Sequence, residues 1–313
     1  YWGTRIDDRH EYVVRGTRGT TADLSFQVLS GNYTAANVPG SESAFDDRAF
    51  EIDDDGSYEI RFGPEPSAGR RNYFQLAPGS SQLVVREVYS DWNQRRGTIR
   101  IARTDTAGLA PAVLTAEGVE RRYARAAKAL IERVQTWLEF PKWFYLDLPV
   151  NTMTEPRLTP GGLATQYSSA GHFELREDQA LVITVPRAEV PYQGFQLGSR
   201  WYISMDYANH QTSLNANQAQ VDPDGNIRMV VSRRNPGVTN WLETLDHETG
   251  FLQFRWQRVD QPLTESDGPH VELIDVAAVH EHLPYYDSNR ITAEGFQARI
   301  ARRQQQVAAR MLG

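Results

Sequence analysis

The chain has 313 residues, 40% hydrophobic and 23% charged, with a net charge of −7. This is ordinary globular composition, enough for one large domain or two smaller ones, and an acidic balance with no basic stripe argues against a nucleic-acid partner. The lack of cysteine removes thiol nucleophiles, iron–sulfur clusters, thiolate zinc sites and disulfides together, and no apolar run is long enough to span a membrane.

The opening, YWGTRIDDRHEYVV, has no Met and already reads as strand. It points to a natural N-terminus further upstream and leaves the compartment of a bacterial protein open, with the cytoplasm favoured. YVVRG, LSFQVL, YEIRF and QLVVREVY follow, alternating apolar and polar residues between Gly, Pro, Asp and Asn punctuation. They predict strands of a mostly antiparallel sheet with one buried face. From Thr115 the apolar residues Val119, Tyr123, Ala127, Leu130 and Val134 take helical spacing, with Thr115 as cap and Glu117 in the first turn. The stripe predicts a helix packed on a sheet, in which Leu130 is buried. Residues 139–178 contain FPKWFYLDLP, too apolar for a free linker, and read as a long ordered connector. ALVITV, GFQLGSRWYISMDY, IRMVVS and GFLQFRWQ predict a second set of strands, and Phe296, Ile300, Val307 and Met311 a second helix after Thr292 and Glu294.

The second set repeats the first. FQVLS at 26 returns as FQLGS at 195, DDDG at 53 as DPDG at 222, YVVR at 12 as LVIT at 181, and Arg86 as Arg255, all offset by 169; the TAEG segments at 115 and 292 follow at offset 177. Five matches in register and in order predict an internal duplication. The expected fold is mainly β: a duplicated antiparallel β-sandwich, jelly-roll-like, each repeat followed by an amphipathic helix. Residues 1–138 form the first repeat, 139–178 the connector and 179–313 the second repeat.

GFQLGSRWYISMDYANHQTSLN, DPDG, NPGVTNWLETLDHETG and FRW resemble bacterial proteins carrying domain of unknown function 1214. The similarity is densest over residues 170–260 and looser through RGTRGT, DDDG and NYFQLAPGSSQLVVRE. It implies a mainly β sandwich with helices and supplies no mechanism.

The repeat serves as an internal control, because a residue shared by both copies is most simply explained by the fold. The Asp-x-Asp-Gly segments then read as hairpin turns and not calcium loops, whose glycine sits at the sixth position before a late glutamate. Arg86 and Arg255 read as structural, with Arg255 also at a face open to ligand, and Asn72 and Asn240 as turn-holding residues. His247 falls opposite Pro78, Glu243 near Gln75, Asp246 opposite Ala77, Asp206 opposite Asn37 and His210 opposite Ser41. The second copy has therefore gathered two histidines and three acids that the first lacks. Imidazole oriented by a carboxylate is a general acid or base near neutral pH. The candidate catalytic set is His247, Glu243, Asp246 and Asp206, with His247 expected at a pocket rim beside one of those carboxylates. The polar run 206–218 offers Asn209, His210 and Gln211 to a ligand, with Trp201, Tyr207, Asn240 and Trp241 as further lining.

This pattern predicts acid/base chemistry (hydrolysis, elimination or isomerisation, with a glycosidase as the two-carboxylate version) on a neutral, hydroxyl-bearing or glycan-like small molecule. The alternatives are a non-catalytic module binding a glycan or an apolar small molecule, and an assembly protein or homo-oligomer using its helical faces. No cofactor motif is present, and His280 and His282 in HEH lack a third metal ligand. The NYT sequon at 32–34 matters only in a glycosylating host.

Overall fold

The computed structural model describes residues 1–31, 34, 39–111, 113–159, 162–163 and 165–312, the last as backbone only. Asn32 and Tyr33 of the sequon, and Asn37, lie outside the described residues. Among the described residues the chain is mostly β, with four sheets and few helices. It divides into two compact units, residues 1–88, 95–139 and 160–164 in the first, and 89–94, 140–159 and 165–313 in the second.

In the first unit β1 (Trp2–Arg5), β7 (Ser80–Val88), β3 (Asp23–Ser30) and β4 (Gly40–Asp46) make one sheet in that order. β6 (Tyr73–Gln75), β5 (Ser57–Gly63), β2 (Tyr12–Thr17) and β8 (Thr98–Arg103) make the other. All pairs are antiparallel except β5 with β6. Alternation sends Val14 and Ile60 from one sheet, and Phe26 and Leu83 from the other, into a shared core.

In the second unit one sheet runs β10 (Arg157–Leu158), β11 (Tyr167–Glu174), β17 (Thr249–Gln257), β13 (Tyr192–Ser199), β14 (Ser213–Asn215), with β9 (Thr152–Met153) also paired to β11. The other runs β16 (Trp241–Glu243), β15 (Asn226–Ser232), β12 (Gln179–Pro186), β18 (His270–Asp275), with β15 and β16 parallel. β1-β7-β3-β4 thus corresponds to β11-β17-β13-β14, and β6-β5-β2-β8 to β16-β15-β12-β18. Leu252, Phe254 and Trp256 on one side of β17 enter the core with Ile183, Phe195 and Met229. Phe251, on the other side, joins Phe144, Tyr145 and Ala170 in a separate cluster.

Two local motifs recur in detail. Gly56 and Gly225 take φ of 83° and 82°, which a side chain rarely adopts, and each closes its hairpin by donating to Asp53 O or Asp222 O. Asn72 accepts from Glu51 N and donates to Glu51 O and Glu59 O. Asn240 accepts from Gln220 N and donates to Gln220 O and Arg228 O. Each asparagine satisfies backbone groups of two neighbouring segments, so it pins the short parallel strand that follows it.

The stretch read as a connector contributes β9, β10 and β11 to the second unit. YSSAGHFE in β11 lacks the bulky alternation that marks a strand, because a covered sheet face accepts Ser168, Ser169 and Ala170. FPKWFYLDLP makes a π-helical turn over Lys142–Leu146 whose Phe144 and Tyr145 are buried.

The two long helices start alike. In α1 (Ala116–Pro141) Thr115 Oγ1 accepts from Gly118 N at 3.1 Å. The short α2 (Val279–His282) and α3 (Tyr286–Asn289) lead to α4 (Ala293–Leu312), where Thr292 Oγ1 accepts from Gly295 N at 3.0 Å. α4 packs most of its stripe, with Phe296 and Val307 buried, Ile300 half-buried and Met311 exposed, and Phe296 lies against Trp241 at 5.1 Å between ring centroids. α1 does not. Leu130 is 65% exposed and Tyr123 75%, which corrects the expectation of a buried Leu130.

Candidate functional site

α4 builds one wall of a cavity in the second unit. Arg299, Arg302, Arg303 and Gln306 recur at three- and four-residue spacing, so one helical face carries them. With Ser90, Asp91, Trp92, Asn217, Gln218, Ile291, Gly295 and Ala298 they line a cavity of about 480 Å³, in the size range of small-molecule sites. The opposing wall is held by side-chain bonds. Asn215 Nδ2 donates to Ser90 O at 2.9 Å, and Asn215 Oδ1 accepts from Asn217 N and Gln218 N at 3.0 and 3.1 Å. Gln94 Oε1 accepts from Ser90 N and Asp91 N at 2.9 and 3.3 Å. Trp92 stacks on Tyr207 with 5.9 Å between centroids. The Arg310 guanidinium lies 4.5 Å from the Trp92 ring centroid and donates to the Tyr207 hydroxyl at 3.1 Å.

The electrostatics of this cavity are one-sided. Arg303 is 5% exposed. It donates to Tyr207 O at 2.9 Å, and to the hydroxyl and carbonyl of Ser213 at 3.3 and 2.6 Å. Arg299 donates to Gln211 Oε1 at 2.5 Å and Gln218 O at 2.6 Å. All of these acceptors are neutral. Burial, then the neighbouring Arg299, pushes Arg303 down to about 10, with Glu243 opposing more weakly. Burial, then Arg302, lowers Arg299 as well. A buried cation without an opposite charge costs free energy, and three guanidiniums against the single lining acid Asp91 leave the cavity positive.

The sequence candidates fall in several places. Glu243 is held by His210, whose Nδ1 lies 2.9 Å from its Oε2, and by Gln211 N at 3.2 Å. The buried Gln211 also donates to Thr239 O and Trp241 O at 3.0 and 2.6 Å, so it supports Arg299 from behind. His247 is exposed and lines neither this cavity nor a smaller one of about 120 Å³ beside His172, Glu174 and Arg200. Its turn directs Glu243 toward His210 instead, and Asp246 toward Arg233 Nε at 2.8 Å. Asp206 accepts from the side chain and backbone of Asn209 and the backbone of Ala208, bonds that hold its carboxyl below the usual range.

Trp241 is buried beneath Phe296 in the core and Asn240 is spent on backbone bonds, so neither lines the cavity. Trp201 is exposed and Tyr207 lies behind Trp92. Arg255 donates to the Tyr202 hydroxyl at 3.2 Å. Among the described residues no group of three His, Cys, Asp or Glu side chains is placed to hold a metal; His280 lies near Glu281 and His282 near Glu272.

The α4 arginines escaped sequence reasoning because an arginine on an amphipathic helix reads as solvated surface. The copy comparison hid them further, since Arg299 and Arg302 match Arg122 and Arg125 at offset 177. Arg303, opposite Ala126, was the available signal.

The protein is mainly β in class, and similar architectures exist among solved structures. An uncharacterised protein from Burkholderia cenocepacia is 29% identical, covering 88% of this chain and 76% of its own, with a TM-score of 0.78. A protein from Vibrio parahaemolyticus is 11% identical, covering 87% and 88%, with a TM-score of 0.50. No protein-family model matches the chain, and a search of curated proteins finds no match. No helix among the described residues is long and apolar enough to cross a membrane.

Proposed function

We propose that the second unit binds a small anion, a carboxylate or phosphate, in the cavity lined by Arg299, Arg302 and Arg303. The observation that carries this reading is that Arg303 is buried and Arg299 half-buried, and that among the described residues both bond neutral oxygens. Guanidinium forks match carboxylate and phosphate geometry, and an incoming anion offsets a charge the fold already carries at a cost. Arg302 is exposed and sits on the same face, so it is the group free to meet ligand.

The wider reading is a binding module of the kind carrying domain of unknown function 1214, built as a duplicated jelly-roll sandwich. The matched strand orders and the paired Asn72 and Asn240 bonds support it. A catalytic version draws on His210, whose Nδ1 is held by Glu243 and whose other ring nitrogen is available for proton transfer.

Calorimetric titration with inorganic phosphate and with succinate tests the reading. Binding should occur, and Arg302→Gln should weaken it by roughly tenfold, about 1.4 kcal/mol, at unchanged thermal stability. Equal binding by Arg302→Gln, or no heat from either anion, overturns it.

A further inference from the structure

We infer that the anion taken by the cavity of the second unit is the head group of a hydroxylated ring, a sugar phosphate or a sugar acid. This rests on the proposed anion site and adds the rest of the ligand. A cavity of about 480 Å³ lies in the range of roughly 300–1,000 Å³ that encloses whole small molecules. A phosphate or carboxylate against Arg302 fills a minor part of it, so the remaining lining must match something further. Ile291 and Ala298 are its aliphatic side chains, too few to hold an acyl chain.

The rest of the lining suits hydroxyls. Among the described residues the side-chain amides of Asn217 and Gln306 make no hydrogen bond. Gln218 Oε1 accepts from Asn215 N at 3.2 Å, which leaves its Nε2 to donate. Asp91 Oδ1 accepts from Asn93 N at 2.8 Å, which leaves its Oδ2 to accept. Amides donate and accept, carboxylates accept, and a hydroxyl does both. A bare anion is repelled by Asp91; a ligand that sets its anion at Arg302 and a hydroxyl at Asp91 uses both charges. Trp92 supplies a flat wall. Tyr207 lies 5.9 Å and the Arg310 guanidinium 4.5 Å from its ring centroid, with 5.8 Å between guanidinium and tyrosine ring. A triangle that tight puts both on one side of the indole and leaves its other face to the cavity. The negative face of an indole attracts the C–H bonds of a sugar ring.

Calorimetric titration of the full chain with inorganic phosphate, glucose 6-phosphate, glucuronate and glucose tests this. The better of the two sugar anions should bind roughly tenfold tighter than phosphate, the yield of about one well-made hydrogen bond. Which of the two is better tells a phosphate head from a carboxylate one, and glucose should bind more weakly than either. Asp91 and Asn217 are exposed, so their variants keep the fold. Asn217→Ala and Asp91→Asn should each narrow the preference for the sugar anion over phosphate by roughly threefold or more, whereas an Asp91 that acts by charge alone would move both anions alike. Phosphate binding that gains nothing from the ring, a preference indifferent to both variants, or adenosine monophosphate binding tighter than either sugar anion overturns the inference and leaves the anion site standing. No heat from any anion, or glucose binding as tightly as its phosphate, overturns both.

Discussion

Both units carry a capped amphipathic helix of similar composition, yet α4 buries Phe296 and Val307 while α1 leaves Tyr123, Leu130 and Ile131 exposed. The sheets, more than the helices, account for the difference. In the second unit Ala180, Val182, Val230, Trp241 and Ile274 turn an apolar face outward, and Phe296 of α4 covers it. At offset 169 the first unit has Glu11 for Ala180 and Arg61 for Val230. Arg61 bonds Glu11 at 2.9 Å and Glu59 at 2.7 Å, and Arg70 bonds Glu11 at 3.0 Å. Tyr73, the counterpart of Trp241, is capped by the Arg70 guanidinium 3.4 Å from its ring centroid, where Trp241 has Phe296. A charged sheet face is already solvated and gains little from an apolar helix; an apolar one gains about 25 cal/mol for each Å² covered. Strand order persisted in the two units while a few outward residues decided whether the helix binds.

The sharpest break of that comparison is at the covered face. Phe296→Ala should cost about 3–5 kcal/mol in urea unfolding, whereas Val119→Ala, its match in α1, should cost under about 1 kcal/mol. Equal losses would mean that α1 is packed as α4 is.

The hairpins at Asp53 and Asp222 offer a second contrast. Arg228 bonds the buried Asp222 at 2.5 Å and Asp224 at 2.7 Å. Arg228→Met should destabilise by about 3 kcal/mol, because the Asp222 carboxylate is left buried without its cation. Asp53, matching Asp222, has an exposed partner in Arg71 at 2.8 Å, and Arg71→Met should leave the midpoint of the same unfolding assay nearly unchanged.

In α1, Leu130→Ala should change stability by under about 0.5 kcal/mol, since Leu130 is exposed. A loss of about 2 kcal/mol or more would place Leu130 in a core.

The smallest effect is shared by both units. Hydrogen bonds from Ser57 hold Asp55 below its ordinary 3.8, and the bond from Arg228 does the same for Asp224. Folded-state values depressed in this way contribute stability that is present above about pH 3.8 and lost as pH falls through the folded values. Asp55→Asn and Asp224→Asn should each lower the melting temperature slightly at pH 7, where that contribution is present, and flatten its decline below pH 4.

Strands, turns and both helices were legible because their signals are local. Alternation, the Asp-x-Asp-Gly turns and the TAEG caps each act within a few residues, and comparing copies exposed the turn role of Asn72 and Asn240. β11 was not legible, since Ser168, Ser169 and Ala170 carry strand character only when neighbouring strands supply the pairing. The candidate site was legible in part. Glu243, His210 and Gln211 do cluster, but His247 is in the same loop and exposed, because four residues of sequence separation do not say which way a turn points.

What the amino-acid order determined by itself was the kind of element at each place and the repetition of those elements, through steric preference and hydrophobic period. Only the tertiary structure decided which apolar faces found a cover and which cations lost their water. Arg303 and Arg125 are both arginines on the polar side of an amphipathic helix pattern. Burial beside Arg299, with hydrogen bonds to neutral acceptors, sets the first apart, and that depends on segments as far apart as Tyr207, Ser213 and α4 closing on one another.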